Sequence, residues 1–283
     1  MPSRMFEVEL KGCMEGTKRV ANEARQLGEG SLYDGDRPLS WALYKQFNRW
    51  FYAEGTSAGI FALAFSKLTY NLACRGKSTS QVCTKHIKWL DDCFEIPFNN
   101  IKKLPRHCYA NPMNFSSDLP SALFQYFALN PNVIANSEES LFPGGVKAQV
   151  NKFDRMMTKI CIKYRDIIKT KFGFDIFEIG VHSWRKCAHT RLNCGSTAGP
   201  TGAAACIRGG HAMGRSKDVY IAQEKASDTY CGRILQGLPG STLFFIVSSQ
   251  RDICPNNHIG RSSTTNTPSF LLRSTFSVIS HHY

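Results

Sequence analysis

Two short segments in the second half of the chain carry residue types that can handle a phosphate group. The first is His182-Ser-Trp-Arg185, and the second runs from Arg208 through Gly-Gly-His211 to Tyr220. Residues three apart share one face of a helix, so His182 and Arg185 can point at one target. The two glycines before His211 predict the end of a helix and a turn, with Tyr220 on the next predicted helix. Breaking a phosphodiester without a metal needs a nucleophile, cations on the non-bridging oxygens and a proton for the leaving oxygen, and these residue types could supply them.

The order of these residues resembles the signature of the tyrosine recombinase and integrase superfamily, in which His-x-x-Arg precedes Gly-His and then, nine residues on, Tyr. The surrounding sequence is similar to that of recombinases of eukaryotic Crypton-type transposons. The similar segments are His182-Ser-Trp-Arg-Lys, Gly195-Ser-Thr-Ala-Gly-Pro, Ile207-Arg-Gly-Gly and Lys217-Asp-Val-Tyr-Ile. Upstream, Tyr70-Asn-Leu-Ala-Cys-Arg75 resembles the family's box around its first catalytic arginine. The resemblance covers residues 40–238.

The resemblance implies a catalytic role for six residues. Tyr220 would attack phosphorus and form a 3′-phosphotyrosyl bond, which lets the strands be rejoined without ATP. Arg75 and Arg185 would hold the two non-bridging oxygens, a task that suits planar, permanently charged guanidinium groups. Lys102 would be the general acid, although the adjacent Lys103 is an alternative.

The two histidines complete the implied set. His182 would accept or share the proton of the tyrosine, and His211 would hydrogen-bond the scissile phosphate. The resemblance implies neither a metal nor a cofactor for this chemistry. The expected activity is therefore site-specific, metal-independent DNA cleavage and rejoining, as in the recombination and integration of a mobile element.

The distribution of charge is consistent with a DNA partner. The formal net charge is +13, and residues 151–240 hold 15 Lys and Arg against 7 Asp and Glu. Neutralising phosphates with basic side chains releases condensed counterions, which favours binding to double-stranded DNA. We expect contacts to DNA from five basic residues: Lys77, Lys103, Lys186, Arg208 and Arg215. The resemblance also implies self-association on DNA as a synaptic oligomer.

Several other classes of protein are not favoured. No stretch approaches the roughly 20 apolar residues of a membrane span, and the amino terminus lacks the apolar run of a secretory signal. The eleven cysteines include no Cys-x-x-Cys pair, so they predict free thiols rather than disulfides or a zinc site. We expect an intracellular protein, in the nucleus, with no membrane partner and no small-molecule cofactor.

The hydrophobic pattern predicts a mainly α fold with a small antiparallel sheet (α+β), like a tyrosine recombinase catalytic domain. Helical periodicity appears over 40–51, 57–74, 119–129, 148–172, 182–192, 201–208 and 216–226. Ser40 can cap the first of these helices, and Gly173 is expected to end the helix over 148–172. Alternation over 83–89 and 93–98 predicts a strand pair, within a sheet at 83–103. Three regions follow: a polar leader or truncated core-binding remnant (1–39), the catalytic domain (40–240) and a loosely ordered Ser/Thr-rich tail (241–283).

Two alternatives stay open at this point. The chain could be a catalytically decayed DNA-binding protein derived from such an element, since the family's helical clamp domain has no clear counterpart before residue 40. It could also be an enzyme like a type IB topoisomerase, which shares the same chemistry. A metal-dependent nuclease is not favoured, because no compact Asp/Glu cluster stands out.

Overall fold

The computed structural model describes residues 4–26, 36–90, 92–97, 105–135, 138–195, 199–211 and 225–238. Helices α1 to α6 are Arg4–Gln26, Trp41–Ala53, Ser57–Asn71, Gly76–Thr79, Leu119–Leu129 and Asn132–Ala135. Helices α7 to α11 are Val146–Lys163, Arg165–Phe172, His182–Cys194, Gly202–Gly209 and Lys225–Gln236. The strands β1 to β3 are Lys88–Leu90, Cys93–Ile96 and Arg106–Tyr109. The expected mainly helical α+β architecture is confirmed.

Helix α3 forms the centre of the core. Every residue from Gly59 to Asn71 is buried, and α2, α5, α7 and α9 pack around the helix. Thr56 caps α3 and Ser40 caps α2, each through a side-chain oxygen that accepts from a backbone N–H three residues on. A central helix with apolar residues on all sides needs partners on all sides, which explains why the site-bearing helix α9 is held against it.

The sheet is antiparallel and has the order β1-β2-β3. Its third strand lies at Arg106–Tyr109, beyond the 83–103 that the sequence pattern predicts. All four residues of β3 are buried because α11 packs directly on this strand. Gly232 permits that approach, since a Cβ there would lie 2.2 Å from the His107 carbonyl oxygen. The sheet therefore connects α11 to the core.

The helix predicted over 148–172 is two helices in the structure. The backbone leaves the helical conformation at Tyr164 (φ −115°, ψ 24°), whose ring stacks on Trp50 with centroids 4.4 Å apart and planes 5° apart. Helix α8 then ends at Gly173 in the left-handed conformation (φ 67°), as predicted. Contact with a distant aromatic residue breaks a pattern that is continuous in the sequence.

The start of the packed region also differs from the expected boundary at residue 40. Leu39 is buried, the backbone N–H of Arg37 donates to the Glu178 carbonyl at 2.7 Å, and the Arg37 side chain donates to the Gly173 carbonyl at 2.8 Å. Residues 36–39 thus belong to the core unit. Within the expected leader, Arg4–Gln26 forms a helix, which the sequence analysis did not predict.

Ten cysteines lie in the described residues, and none of the ten forms a disulfide. No described helix is long and apolar enough to cross a membrane. Most of the helix predicted over 216–226 and all of the tail at 241–283 lie outside the described residues. Helix α11 begins at Lys225, near the end of that predicted helix, and continues to Gln236. The sequence pattern did not predict this continuation.

Candidate active site

Helix α9 carries two of the predicted site residues, and a buried tryptophan holds its position. Trp184 packs edge-on against Phe47 and Phe153, with ring centroids 5.3 and 5.0 Å apart. Its indole N–H donates to the Ser66 hydroxyl at 2.7 Å. The next residue, Arg185, is only 9 % exposed. The packing of Trp184 therefore fixes the rotation of α9, and with it the helix face on which Arg185 lies.

The turn after α10 brings His211 to Arg185. Gly210 adopts the left-handed conformation (φ 68°), and the backbone N–H of His211 donates to the Cys206 carbonyl at 2.9 Å, a helix ending that glycine favours. Arg185 Nη2 donates to the Gly209 carbonyl at 2.8 Å and lies 3.0 Å from His211 Nε2. The glycines before His211 predict this turn, and the resemblance implies that Arg185 and His211 lie in one site.

Arg75 is the third basic group at this site. It lies at the start of α4, and its side chain is exposed. Burial lowers the pKa of Arg185, and the positive charge of Arg75 lowers it further. Burial also lowers the pKa of His211, as do the charges of Arg185 and Arg75. The charge of Arg75 therefore acts on both Arg185 and His211, so we assign the three groups to one site.

No carboxylate in the described part of the chain pairs with Arg75 or Arg185. Two neighbouring guanidinium groups, one of them buried, that have no counterion among the described residues favour the binding of an anion. The arrangement is suited to a ligand with at least two negatively charged oxygens, which planar guanidinium groups bind well.

His182 is the first residue of α9 and has an exposed side chain. Its backbone N–H donates to Asp36 Oδ2 at 3.0 Å, so a residue far away in sequence satisfies the start of the helix. Gly180 makes room for this carboxylate, because a Cβ there would lie 2.3 Å from both Asp36 oxygens. Asp36 was not predicted as a site residue, since its only signal in the sequence is a carboxylate next to Arg37-Pro38.

One expected DNA contact is wrong. Arg208 is fully buried and donates to Asp228 Oδ1 at 2.7 Å and to the Asn71 carbonyl at 2.8 Å. Arg106 is also buried and donates to Asp228 Oδ1 at 3.2 Å. Burial alone would raise the pKa of Asp228, but Arg208, His107 and Arg106 together hold it well below its usual range. Arg208 therefore stabilises the core and is not available to DNA.

The other predicted residues have mixed positions. Lys77 is exposed, two residues after Arg75. Lys186 is half-buried, and its ammonium donates to the Asp36 carbonyl. Four predicted residues lie outside the described residues: Lys102, Lys103, Arg215 and Tyr220.

His189 is a further residue at the site that the sequence analysis missed. Its Nε2 lies 3.1 Å from His211 Nε2, and the two rings are nearly perpendicular, at 86°. Burial lowers the pKa of His189 to about 4, and the neighbouring His211 and Arg185 contribute to the shift. The signal was present, since His189 follows Arg185 by four residues and so shares its helix face.

Within the described residues, no group of three or more His, Cys, Asp or Glu side chains could hold a metal ion. The basic cluster of Arg75, Arg185, His189 and His211 is thus the strongest candidate site. No model of a known protein family matches this chain, and a search of curated proteins found no significant match.

Proposed function

We propose that this chain cleaves and rejoins DNA strands through a 3′-phosphotyrosyl intermediate, with Tyr220 as the nucleophile. The observation that carries the proposal is the convergence of Arg75, Arg185 and His211 on one site, where no carboxylate of the described residues pairs with either arginine. We further infer that the helical α+β unit is a tyrosine recombinase catalytic domain. Arg75 and Arg185 are separated by 110 positions in the sequence, yet the charge of Arg75 lowers the pKa of Arg185. The proposed function requires two such arginines near one phosphate.

The cluster is suited to a phosphodiester for electrostatic reasons. In the attack on phosphorus, charge builds up on the two non-bridging oxygens, and fixed cations lower the barrier because they need no reorganisation. Arg185 is held on one side by the Gly209 carbonyl, so its guanidinium is oriented before a ligand arrives. The side chain of Arg75 is exposed, and its guanidinium has no hydrogen-bond or ion-pair partner among the described residues, so it can bind the anion.

The proposed reaction is balanced without a cofactor. The Tyr220 oxygen bonds to phosphorus, the bond from phosphorus to the 5′ oxygen breaks, and Lys102 supplies the proton that the 5′ oxygen takes. His182 accepts or shares the proton that Tyr220 loses. The reverse reaction rejoins the strand, because the phosphotyrosyl bond retains the energy of the phosphodiester.

The proposal also includes partners and a compartment. Double-stranded DNA is the substrate, copies of the chain associate on it, and recombination of a mobile element in the nucleus is the biological setting. The basic excess of residues 151–240 supports the choice of DNA. Two described lysines should lie nearest the DNA backbone phosphates. They are Lys77, two residues after Arg75, and Lys186, which follows Arg185.

A covalent adduct tests the proposal directly. The full chain would be incubated with a pool of nicked duplexes that trap the cleaved strand, with EDTA present, and resolved on a denaturing gel. We expect a shifted protein band that disappears in Tyr220→Phe, because this change removes the nucleophilic hydroxyl and hardly alters the ring volume. Arg185→Ala should reduce the adduct by about a hundredfold or more.

Two matched variants control the result. Tyr230→Phe removes a hydroxyl from α11, and Arg155→Ala removes an exposed arginine from α7, so neither should reduce the adduct. An adduct that is lost in Tyr230→Phe but persists in Tyr220→Phe would show that Tyr230, and not Tyr220, is the nucleophile. If the wild-type chain binds the duplexes but forms no adduct, a non-catalytic DNA-binding protein is the better interpretation. Relaxation of supercoiled plasmid without strand exchange would instead indicate a topoisomerase.

A further inference from the structure

The N-terminus of helix α7 has no side-chain cap. Its N-cap residue is Gly145, no side chain accepts a hydrogen bond there, and the first turn contains no acidic residue. The first backbone N–H of the helix with an acceptor is that of Gln149, which donates to the Gly145 carbonyl at 3.1 Å. The N–H groups of Val146, Lys147 and Ala148 have no acceptor among the described residues. Three donors at the positive end of an 18-residue helix can therefore bind an anion.

A buried amide points at the same end of the helix. Gln149 is only 6 % exposed, and its Nε2 lies 2.7 Å from the place that a Cβ of Gly144 would occupy. The side chain therefore reaches back over the first turn of α7. Its amide has no hydrogen-bond partner among the described residues, which is unfavourable for a buried polar group. A ligand at the N-terminus that accepts a hydrogen bond from Nε2 would remove this cost.

Two glycines leave room for the ligand. Gly144 has a φ of 100°, a conformation that favours glycine. A Cβ at Gly145 would meet no atom within 4 Å, so open space lies beside the N–H groups of the first turn. Lys147 is exposed and adds a positive charge in the same turn. Backbone N–H groups, an amide and an ammonium together form a donor set that suits the oxygens of a phosphate.

This end of α7 lies next to the element that carries Arg75. Arg75 is the N-cap residue of α4, and α4 packs on α7. A Cβ at Gly76 would lie 3.6 Å from Val150 Cγ2, and Val146 precedes Val150 by about 6 Å along the helix axis. A DNA strand carries a phosphate about every 3.4 Å along its axis. A strand bound at Arg75 therefore has further phosphates within reach of the α7 N-terminus.

We propose that the N-terminus of α7, together with Gln149 and Lys147, binds a second backbone phosphate of the DNA, close to the one at Arg75 and Arg185. This inference rests on the proposed function, in which DNA is the substrate. The contact takes no part in the chemistry of cleavage. It positions the strand, because two fixed phosphates define the direction in which the strand crosses the site.

Gly145→Asp tests the site because it has opposite effects on folding and on binding. The new carboxylate caps the N–H groups, which should raise the melting temperature, but it also occupies the site and repels phosphate. Binding of a labelled duplex to the full chain, followed by fluorescence anisotropy, should weaken about tenfold. The slope of log K against log salt should become less steep by about 0.9, the contribution of one phosphate contact. Asn132→Asp adds the same charge at an exposed position of α6 and should change the affinity by less than about twofold.

Gln149→Met separates binding from a merely structural role of the buried amide. Methionine has a similar length and no donor, so duplex binding should weaken about threefold. The melting temperature should not fall, because the substitution removes a buried amide that has no partner among the described residues. A lower melting temperature with unchanged duplex binding would make Gln149 a structural residue and overturn the inference.

Amide NMR of the full chain locates the anion and distinguishes this inference from the proposed function. The amide signals of Val146 and Lys147 should shift when duplex is added to the wild type, and not in Gly145→Asp. If inorganic phosphate shifts them but duplex does not, the site binds a free anion and the inference is overturned. If Gly145→Asp binds duplex with the affinity and salt slope of the wild type, the inference is wrong and the cleavage proposal is unaffected. If the variant binds more weakly as expected but the wild type forms no adduct, the cleavage proposal fails and the phosphate site stands.

Discussion

Replacing Asp228 with Asn should destabilise the fold more than any other single change of a carboxylate to an amide in the described residues. Asp228 is fully buried between Arg106 and Arg208, which are 1 % and 0 % exposed. Its Oδ1 accepts from both arginines, at 3.2 and 2.7 Å. Its Oδ2 accepts from the backbone N–H of His107 at 2.7 Å and lies 3.0 Å from His107 Nδ1. One carboxylate therefore compensates two buried cations and connects α10, α11 and β3.

The magnitude follows from what Asn cannot replace. It removes the one carboxylate that pairs with both buried guanidinium groups among the described residues, and it places an NH₂ group against either an arginine or the His107 N–H. Breaking a buried ion pair by neutralising one partner costs about 3 to 5 kcal/mol. For a domain of this size, the melting temperature should fall by about 6 to 20 °C.

Urea and thermal unfolding, followed by circular dichroism, measure this effect. Asp92→Asn is the matched control, because Asp92 has a side chain that is 55 % exposed and lies 3.7 Å from Arg233. Arg233 is buried, but the Asp92 carboxylate is mostly in water, which screens the interaction, so we expect this substitution to cost less than about 1 kcal/mol. If both variants lose less than about 1 kcal/mol, the buried network does not support the fold and the reasoning on Arg208 is refuted.

Two further predictions concern stability. Burial lowers the pKa of Lys67 to about 7. Above this pH the unfolded chain binds more protons at Lys67 than the folded chain does, so stability increases with pH. The free energy of unfolding should therefore rise by about 2 kcal/mol between about pH 6 and 8.5. The lowered pKa values of His189 and His211 also contribute in this range, so urea titrations should show a rise that is about 2 kcal/mol larger in the wild type than in Lys67→Met; equal slopes would contradict it. Gly209→Ala should destabilise by about 1 to 3 kcal/mol, because the new methyl group overlaps His189. The loss should shrink when His189→Ala is added, and an unchanged loss in the double variant would place the clash elsewhere.

Local sequence patterns predicted much of the fold because they report on nearest neighbours. Ser40 caps α2, and Gly173 and Gly210 end their helices in the left-handed conformation, where a Cβ is unfavourable. The spacing of His182 and Arg185 predicted a shared helix, and the glycines before His211 predicted its turn. Each of these features depends on residues within four positions of one another.

The errors arose where a distant contact decided the outcome. Tyr164 interrupts a helix because it stacks on Trp50, and residues 36–39 join the core through Glu178 and Gly173. The strand Arg106–Tyr109 is held by α11. Hydrophobic periodicity contains no information on such partners, since it describes one element at a time.

The sequence by itself determined which residue types are present at the site and how they are spaced along each helix. Only the tertiary structure decided which arginine is available to a ligand. Arg185 and Arg208 are both arginines within the segments that the sequence singles out. Arg208, however, is neutralised by Asp228, whereas Arg185 has no carboxylate partner among the described residues. The physical reason is that the ionic role of a buried side chain depends on the charges that packing brings within a few ångströms, and these come from other elements.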